Sequence, residues 1–235
     1  MESRFSGMAV LVAGGTGALG RAVSQAFLEA GAWVVVTRRR PEELEALRAS
    51  AGKDGDRLSG DSVDVTDEAA VAKLVSAIRE RHGRLDVLVN CVGGYAGGAK
   101  LWEADAKTLD QMLALNLRSG WVLARAAVPL MIEAGRGAIV NVASRAAVVH
   151  GPGEAAYAAS KAGALALFES LAAEVKGTGV RVNSILPSVI DTEANRNAMP
   201  KADHTKWPKP EEIARVILWL CGEEARLVHG AAIPV

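Results

Sequence analysis

The chain has 235 residues, half of them hydrophobic, with 27 basic and 27 acidic side chains. This length fits one large α/β domain or two small ones. The zero net charge gives no electrostatic reason to expect binding to nucleic acid or to an anionic membrane. No apolar run approaches the roughly 20 residues that span a bilayer. We therefore expect neither a nucleic-acid nor a membrane partner.

The two cysteines and the first residues indicate a cellular location. Cys91 and Cys221 each end an apolar segment, which favours buried thiols over a disulfide or a pair of metal ligands. The first seven residues lack the basic and then apolar layout of a signal peptide. A reducing, cytoplasmic location is the default prediction, and no metal site is expected.

Short apolar runs alternate with longer helical patterns along the whole chain. The predicted strands are Met8–Ala13, Trp33–Thr37, a run ending near Val63–Val65, Leu85–Asn90, Ala138–Ala143, Val180–Leu186 and Ala231–Val235. The predicted helices are Ala18–Ala30, Pro41 to about Ala49, Thr66 or Asp67 to His82, a long helical region over about Ala106–Ala134, Glu154–Val175 and Glu211–Cys221.

This alternation predicts a doubly wound α/β fold. Strands joined by helices of this length form right-handed crossovers and a parallel sheet with helices on both faces. We expect about seven strands in a single Rossmann-type domain over 1–235, because no linker divides the chain. Its ligand should bind at the carboxyl ends of the strands. The Pro-rich, charged segment Asp191–Pro210 is predicted to be a lid over that site.

A glycine-rich turn follows the first strand and opens the first helix. Gly15, Gly17 and Gly20 satisfy the G-x-G-x-x-G pattern of dinucleotide-binding proteins in its required strand-before, helix-after context. Glycines allow a tight turn and let the backbone approach a pyrophosphate, which then binds at the helix N-terminus. A P-loop is excluded because neither Lys-Ser nor Lys-Thr follows.

The second strand indicates which dinucleotide is bound. An acidic residue here would bind the ribose 2′-OH of NAD, but this strand ends in Thr37 followed by Arg38, Arg39 and Arg40. Guanidinium groups bind phosphate in a bidentate manner. The sequence therefore predicts NADP(H), with Arg38 or Arg39 at the 2′-phosphate; the alternative is a solvated arginine loop.

Tyr157 and Lys161 lie four residues apart in a predicted helix, and so on one face of it. An ammonium beside a phenol favours the phenolate and should lower the pKa of the phenol. This pair is thus a candidate general acid/base. The same helix carries small, apolar side chains on nearly all of its sides. This suggests that it is buried on a second side, either by the same helix of another subunit or by the lid.

An ordered set of motifs extends along the chain: the glycine-rich turn, Asp64 after the third strand, Asn90–Gly93, Asn116, Ser144, Tyr157, Lys161 and Pro187. In their order and spacing they resemble the short-chain dehydrogenase/reductase family over essentially the whole chain. The resemblance implies that Tyr157 donates the proton, Ser144 holds the carbonyl oxygen, Lys161 binds the nicotinamide ribose and lowers the tyrosine pKa, and Asn116 holds a helix kink and a water. The apolar character of the helix that carries Tyr157 favours a homodimer or homotetramer. The cofactor contacts that the turn, the arginines and the resemblance imply are Gly14, Thr16, Gly17, Ala18, Leu19, Arg38, Arg39, Asp64, Val65, Asn90, Val92, Gly93, Tyr157, Lys161, Pro187, Ile190 and Thr192.

The chain departs from the family pattern at a few positions. Ala13 and Ala18 replace a Thr and a Gly of the glycine turn, and Ser188 stands where a Gly often follows the proline. The stretch Asp191–Pro200 is similar to dihydropteridine reductases within the family, which use NADH and lack the serine.

The predicted activity is reversible reduction of a carbonyl compound by NADPH. For the substrate side, Tyr95 in a glycine-rich loop could stack on a substrate or be an exposed aromatic, and His150 could reach the substrate or only shape its loop. Trp207 could close over the site or pack the lid down. The alternatives are a quinonoid dihydropteridine or quinone reductase and a non-catalytic NADP(H)-sensing regulator.

Overall fold

The computed structural model describes residues 4–235. Seven strands form one parallel sheet in the order β3-β2-β1-β4-β5-β6-β7, which confirms the predicted doubly wound fold. The strands are β1 Ala9–Ala13, β2 Trp33–Arg38, β3 Leu58–Ser62, β4 Val87–Asn90, β5 Gly137–Val142, β6 Val180–Leu186 and β7 Ala232–Pro234.

The helices lie on both faces of this sheet. They are α1 Ala18–Glu29, α2 Pro41–Ala51, α3 Glu68–His82, α4 Ala106–Leu113, α5 Ser119–Glu133, α6 Ala155–Glu174, α7 Glu193–Ala198 and α8 Pro210–Cys221. In the described part of the chain, no helix combines the length and the apolar character that crossing a bilayer requires.

Two large hydrophobic clusters of the described residues lie on the two faces of the sheet, and a smaller one contains Ala143, Ala147, Leu165 and Leu186. Along β1, Val10 and Val12 belong to one cluster, whereas Ala9 and Leu11 belong to the other. Successive strand residues point to opposite faces, so a strand covered on both faces must be apolar throughout. This is why the central strands read as uninterrupted apolar runs.

The third strand differs from its predicted position. It ends at Ser62, before Val63–Val65. The carboxylate of Asp64 instead accepts bonds from the backbone N–H and the hydroxyl of Thr66, at 2.9 and 2.7 Å, which turns the chain. Asp67 then caps α3 by accepting the N–H groups of Ala69 and Ala70. An aspartate that bonds two residues ahead ends the strand in favour of a turn.

The long helical region over 106–134 is not one regular helix. A turn with π-type hydrogen bonds, Ala114–Arg118, separates α4 from α5 and contains the buried Asn116. Such turns widen a helix locally and are frequent at functional sites.

The segment Asp191–Pro210 carries structure of its own. Thr192 caps the short helix α7 by accepting the N–H of Asn195. Trp207 packs on His204 with ring centroids 4.5 Å apart, and it lines a cavity together with Arg145 and Ser188.

Candidate active site

The site lies where the strand order reverses. β1 pairs with β2 on one side and with β4 on the other, and all three run in parallel. The connections that leave β1 and β4 therefore diverge to opposite faces and open a crevice at their carboxyl ends. The predicted site residues are distributed along the rim of this crevice.

The glycine-rich turn brings β1 and α1 unusually close together. A Cβ at Gly20 would lie 2.0 Å from the carbonyl oxygen of Gly14, and one at Gly15 would lie 2.4 Å from Val36. Neither position can hold a larger residue. Gly17 begins α1 with no side-chain cap, so the first N–H groups of this helix face the crevice without a side-chain partner from the described residues. This turn fits a pyrophosphate.

The arginines after β2 border the same crevice at its outer end. Arg38 is half-buried, and its buried Nε has no hydrogen-bond partner among the described residues. Arg39 is exposed, and Arg40 pairs with Glu43 at 2.9 Å. A buried guanidinium nitrogen without a partner is costly, and an anionic ligand would satisfy it. The residues present therefore fit a phosphate-bearing dinucleotide.

The connection after β3 contributes Asp64 and Val65 in different ways. Asp64 is exposed beside the crevice, and the pKa of its carboxyl is lowered, first by the backbone N–H of Thr66 and then by its hydroxyl. Val65 is buried in the core, 8% exposed. Asp64 is thus positioned to accept a bond from a ligand, while Val65 packs beneath it.

Asn90 and Asn116 hold the backbone that follows β4. Asn90 donates to Asn141 at 3.1 Å and accepts the N–H of Val92 at 3.2 Å. Asn116 accepts the N–H of Gly94 at 2.9 Å and donates to its carbonyl oxygen at 3.1 Å. Its amide also donates to Ser160 at 2.9 Å. The two asparagines therefore fix the 90–94 backbone from both sides.

Ser144, Tyr157 and Lys161 meet at the inner end of the crevice. Ser144 follows β5, and its hydroxyl lies close enough to Tyr157 to favour the ionised form of the phenol. Lys161 lies one turn further along α6, 5% exposed, and donates to the carbonyl oxygen of Val142 at 3.0 Å. Gly93 approaches this ammonium so closely that a Cβ there would lie 3.0 Å from Nζ. Gly93 also approaches Asn116, so the structure brings all four predicted catalytic residues, Asn116 among them, close together.

The expected lowering of the tyrosine pKa by Lys161 is wrong for this geometry. The pKa of Tyr157 is raised, foremost by burial, and the charges of Glu154 and Tyr95 add to the rise while the bond from Ser144 opposes it. Burial also lowers the pKa of Lys161, to about 8. Desolvation disfavours the charged form of both groups, and it is the largest cause of both shifts.

The loop after β6 closes the crevice on the far side. The carbonyl oxygen of Pro187 accepts the N–H of Arg145 at 3.0 Å, which joins this loop to the one carrying Ser144. The carbonyl oxygen of Ile190 accepts the side chain of Asn195 at 2.8 Å, and Thr192 caps α7. The predicted contacts of this loop therefore lie where α7 begins.

The two predicted substrate residues have different environments. Tyr95 is 64% exposed, and its ring meets that of Tyr157 edge-on at 4.9 Å. His150 is exposed, and its Nδ1 is held by the carbonyl oxygen of Ala146 at 3.0 Å. Tyr95 is thus adjacent to the candidate acid, whereas the ring of His150 is tied to its own loop.

Three polar residues of the site were not singled out from the sequence. Ser160 accepts from Asn116, Glu154 carries a charge that acts on Tyr157, and Glu43 contacts both the glycine turn and the arginine loop. The sequence could have indicated the first two, because Ser160 lies next to Lys161 and Glu154 lies three residues before Tyr157. Glu43 had none, because its partner Thr16 is distant in sequence. Among residues 4–235, no group of three or more His, Cys, Asp or Glu side chains could hold a metal ion.

Comparison with known proteins identifies the family. A family model described as short chain dehydrogenase matches residues 8–203. The chain is 37% identical to D-threitol dehydrogenase of Mycolicibacterium smegmatis over 98% of this chain and 92% of that protein. It is 31% identical to 3-oxoacyl-[acyl-carrier-protein] reductase FabG of Thermotoga maritima, over 99% and 97%.

Solved structures agree with this assignment. A short-chain type dehydrogenase/reductase from Mycobacterium ulcerans superposes with a TM-score of 0.93 at 27% identity, over 98% of this chain and 89% of that one. ElxO with NADP bound gives 0.91 at 25% identity, over 97% and 96%. NAD+-bound xylitol dehydrogenase gives 0.90 at 26% identity, over 99% and 98%. The chain therefore belongs to the short-chain dehydrogenase/reductase family.

Proposed function

We propose that this protein is an NADP(H)-dependent carbonyl reductase that also oxidises the corresponding secondary alcohols. Membership of the family makes it an oxidoreductase of alcohols or carbonyl compounds that binds a nicotinamide dinucleotide. The observation that carries the finer proposal is the convergence of Ser144, Tyr157 and Lys161 at the inner end of the crevice.

In the proposed mechanism Tyr157 is the proton donor. A bound nicotinamide supplies the hydride for the carbonyl carbon. The hydroxyls of Tyr157 and Ser144 hold the carbonyl oxygen, and Tyr157 gives it a proton as negative charge develops there. A phenol whose pKa is raised by burial is protonated at neutral pH, which suits an acid. Alcohol oxidation needs the phenolate and should be favoured at higher pH.

The proposed roles of Lys161 and Asn116 concern position and charge. The buried ammonium of Lys161 can donate to the nicotinamide ribose while its positive charge favours loss of the phenolic proton. Asn116 holds the loop after β4 through Gly94, and the proposal also assigns it the water of a proton relay. Neither residue needs to contact the reacting carbon.

NADP(H) is proposed over NAD(H) on the basis of the arginine loop. The buried Nε of Arg38 has no partner among the described residues, and Arg39 is free to turn toward a ligand on the surface. A 2′-phosphate would satisfy both. The two solved structures described above contain different cofactors, so the proposal rests on these side chains.

The substrate is proposed to be a small carbonyl compound that enters beside Tyr95. The ring of Tyr95 is exposed and packs against the catalytic phenol, where it can stack on a substrate. His150 is a candidate for a polar contact, although its ring is held by Ala146. The segment 191–210 is proposed to act as a lid, since it follows directly on the loop of Pro187.

We also propose a homodimer or homotetramer in the cytoplasm. The outer side of α6 exposes small residues, among them Ala159 and Ala166, and α5 exposes Trp121 beside it. Small residues let a second helix approach closely, and an exposed apolar patch is typical of an interface. Both cysteines are free thiols, as in a reducing compartment.

The activity is tested by following NADPH and NADH absorbance with a panel of carbonyl compounds. The panel contains simple ketones, four-carbon hydroxyketones, 3-oxoacyl thioesters, quinones and quinonoid pterins. Replacement of Tyr157 by Phe keeps the ring but removes the hydroxyl, so turnover should fall about 100-fold or more. Cofactor binding, measured by fluorescence titration, should be retained.

The outcomes of this assay separate the candidate functions. Oxidation of cofactor by ketones or hydroxyketones supports the proposal, whereas oxidation by pterins or quinones alone favours the first alternative. If no substrate is reduced while NADPH still binds, the chain is a sensor. A Tyr157→Phe variant with a near-normal rate would contradict the role of the phenol.

A further inference from the structure

One carboxylate occupies a position that suits a phosphate. Oε2 of Glu43 accepts the hydroxyl of Thr16 at 2.9 Å and the backbone N–H of Arg39 at 3.4 Å. Its Oε1 accepts Nε of Arg40 at 2.9 Å. The donors come from the glycine-rich turn after β1 and from the loop after β2. These are the two segments that border the adenosine end of the crevice.

This set of donors is typical of an anion site. A hydroxyl, a backbone N–H and a guanidinium are the groups that bind phosphate oxygens. Arg38, the last residue of β2, directly precedes this loop, and its buried Nε has no partner among the described residues. The site is therefore filled by an internal anion, and one neighbouring cation is left unsatisfied.

Glu43 is charged at neutral pH. Burial by itself would raise the pKa of this carboxyl, but the bonds from Arg40, Thr16 and the loop backbone outweigh burial and lower the pKa. A fixed negative charge so close to the donors has opposite effects on the two cofactors. It repels a 2′-phosphate, whereas it can accept a hydrogen bond from a ribose 2′-OH.

We propose that Glu43 is a cofactor-specificity residue whose carboxylate occupies the 2′-phosphate position and thereby lowers the preference for NADP(H) over NAD(H). The inference rests on the proposed binding of NADP(H) at Arg38. NADP(H) must displace the carboxylate from Thr16 and Arg39 before its phosphate can use the same donors. NAD(H) binds with the carboxylate in place.

If Glu43 only capped α2, its effect would depend on an acceptor oxygen and not on its charge. Glu43 is the third residue of α2, where a glutamate can cap the helix by accepting N–H groups of the preceding turn. Its contact with Arg40 is on the surface, since Arg40 is 68% exposed, and contributes little to stability. Glu43→Gln keeps the shape of the side chain and one of its two acceptor oxygens, which can still accept from Thr16 and the N–H of Arg39, but removes the charge. The variant therefore separates charge from capping.

The experiment is a calorimetric titration of the protein with 2′,5′-ADP and with 5′-AMP, which needs no turnover. In Glu43→Gln, 2′,5′-ADP should bind about tenfold more tightly or better, because the carboxylate no longer repels the 2′-phosphate; tenfold corresponds to about 1.4 kcal/mol. Binding of 5′-AMP, which lacks the 2′-phosphate, should change less than about twofold. Glu43→Ser, which also removes the charge, should shift 2′,5′-ADP in the same direction.

Glu42→Gln is the matched control. It makes the same change one residue earlier, where the carboxylate lies 3.6 Å from Arg40 and is 67% exposed. This variant should bind both nucleotides as the wild type does. Thermal unfolding of all variants separates an effect on affinity from an effect on folding.

The nucleotide titrations distinguish a failure of the proposed role of Glu43 from a failure of the proposed NADP(H) site at Arg38. Equal changes for both nucleotides in Glu43→Gln, or no change, would overturn the role of Glu43. Arg38→Asp should weaken 2′,5′-ADP selectively, and an unchanged affinity there would overturn the proposed NADP(H) site instead.

Discussion

At the scale of single residues, Lys161 is a charged group that the site buries almost completely. Its ammonium is 5% exposed, and one hydrogen bond, to the carbonyl oxygen of Val142, holds it. Burial lowers its pKa from the ordinary 10.5 to about 8. Keeping a charged amine at this buried position therefore lowers the stability of the fold.

Because folding lowers the pKa of Lys161, the stability of the protein depends on pH. Below pH 8 the amine of Lys161 is charged in both states, so the penalty for burying the charge is fully present. Between about 8 and 10.5 the folded protein has released the proton and the unfolded chain has not, so stability rises with pH. The gain across this window is about 3 kcal/mol.

Lys161→Met should thus be more stable than the wild type at pH 7 although its activity is lost. The difference in unfolding free energy between the two proteins should shrink by about 3 kcal/mol from pH 7 to pH 10.5. Urea unfolding at several pH values measures this difference, in which the contributions of the other titrating groups cancel. The exposed Lys176→Met is the control. A difference between wild type and Lys161→Met that is independent of pH would contradict the assignment.

At the scale of elements, the π-turn between α4 and α5 links the helices to the site. Asn116 in this turn bonds both the N–H and the carbonyl oxygen of Gly94, and it donates to Ser160 on α6. A regular helix would present the side chain at position 116 at another angle. The widened turn therefore joins α6 to the loop after β4 through one amide.

Asn116→Ala should lower stability by about 2–3 kcal/mol, because it leaves the N–H of Gly94 and other polar groups without their partners. It should also reduce kcat, since the loop over the nicotinamide end is no longer held. The control is Ser119→Ala, which removes a buried bond to the carbonyl oxygen of Leu115 without touching the loop. Urea unfolding and steady-state kinetics distinguish the two variants, and equal kcat losses in both would argue against a specific role of Asn116.

At the scale of the whole molecule, one side of the domain is left apolar. Ala166 on α6 is exposed, as are Trp121 at 53% and Ile132 at 43% on α5. Stable interfaces bury at least about 1,000 Å² and are built around such apolar patches. This surface is where the proposed oligomer should form.

Ala166→Arg should dissociate the oligomer, because it places a long, charged side chain where two helices are expected to approach closely. Sedimentation velocity should show a dimer or tetramer for the wild type and smaller species for this variant. Ala69→Arg makes the same change on the exposed side of α3 and should leave the assembly intact. A wild-type monomer would refute the proposed oligomer, and an Ala166→Arg variant that assembles normally would refute this interface.

The sequence by itself determined the fold and the positions of the glycine turn and of the Tyr157–Lys161 pair within it. Uninterrupted apolar runs such as Val10–Val12 can be stable only in strands covered on both faces, and the helical spacing between them forces parallel crossovers. The glycine turn was readable because its neighbours in space are its neighbours in the chain. The same holds for Tyr157 and Lys161, which one helical turn brings together.

Only the tertiary structure decided how these groups affect one another. The pKa of Tyr157 depends on how deeply the phenol is buried, the break at Ala114–Arg118 depends on what Asn116 bonds, and the contact of Glu43 with Thr16 joins two separate loops. Burial and charge depend on distances across the fold rather than along the chain. Local patterns therefore located the candidate site residues. Their pKa values and contacts could be read only from the packed fold, in which all the elements are in place.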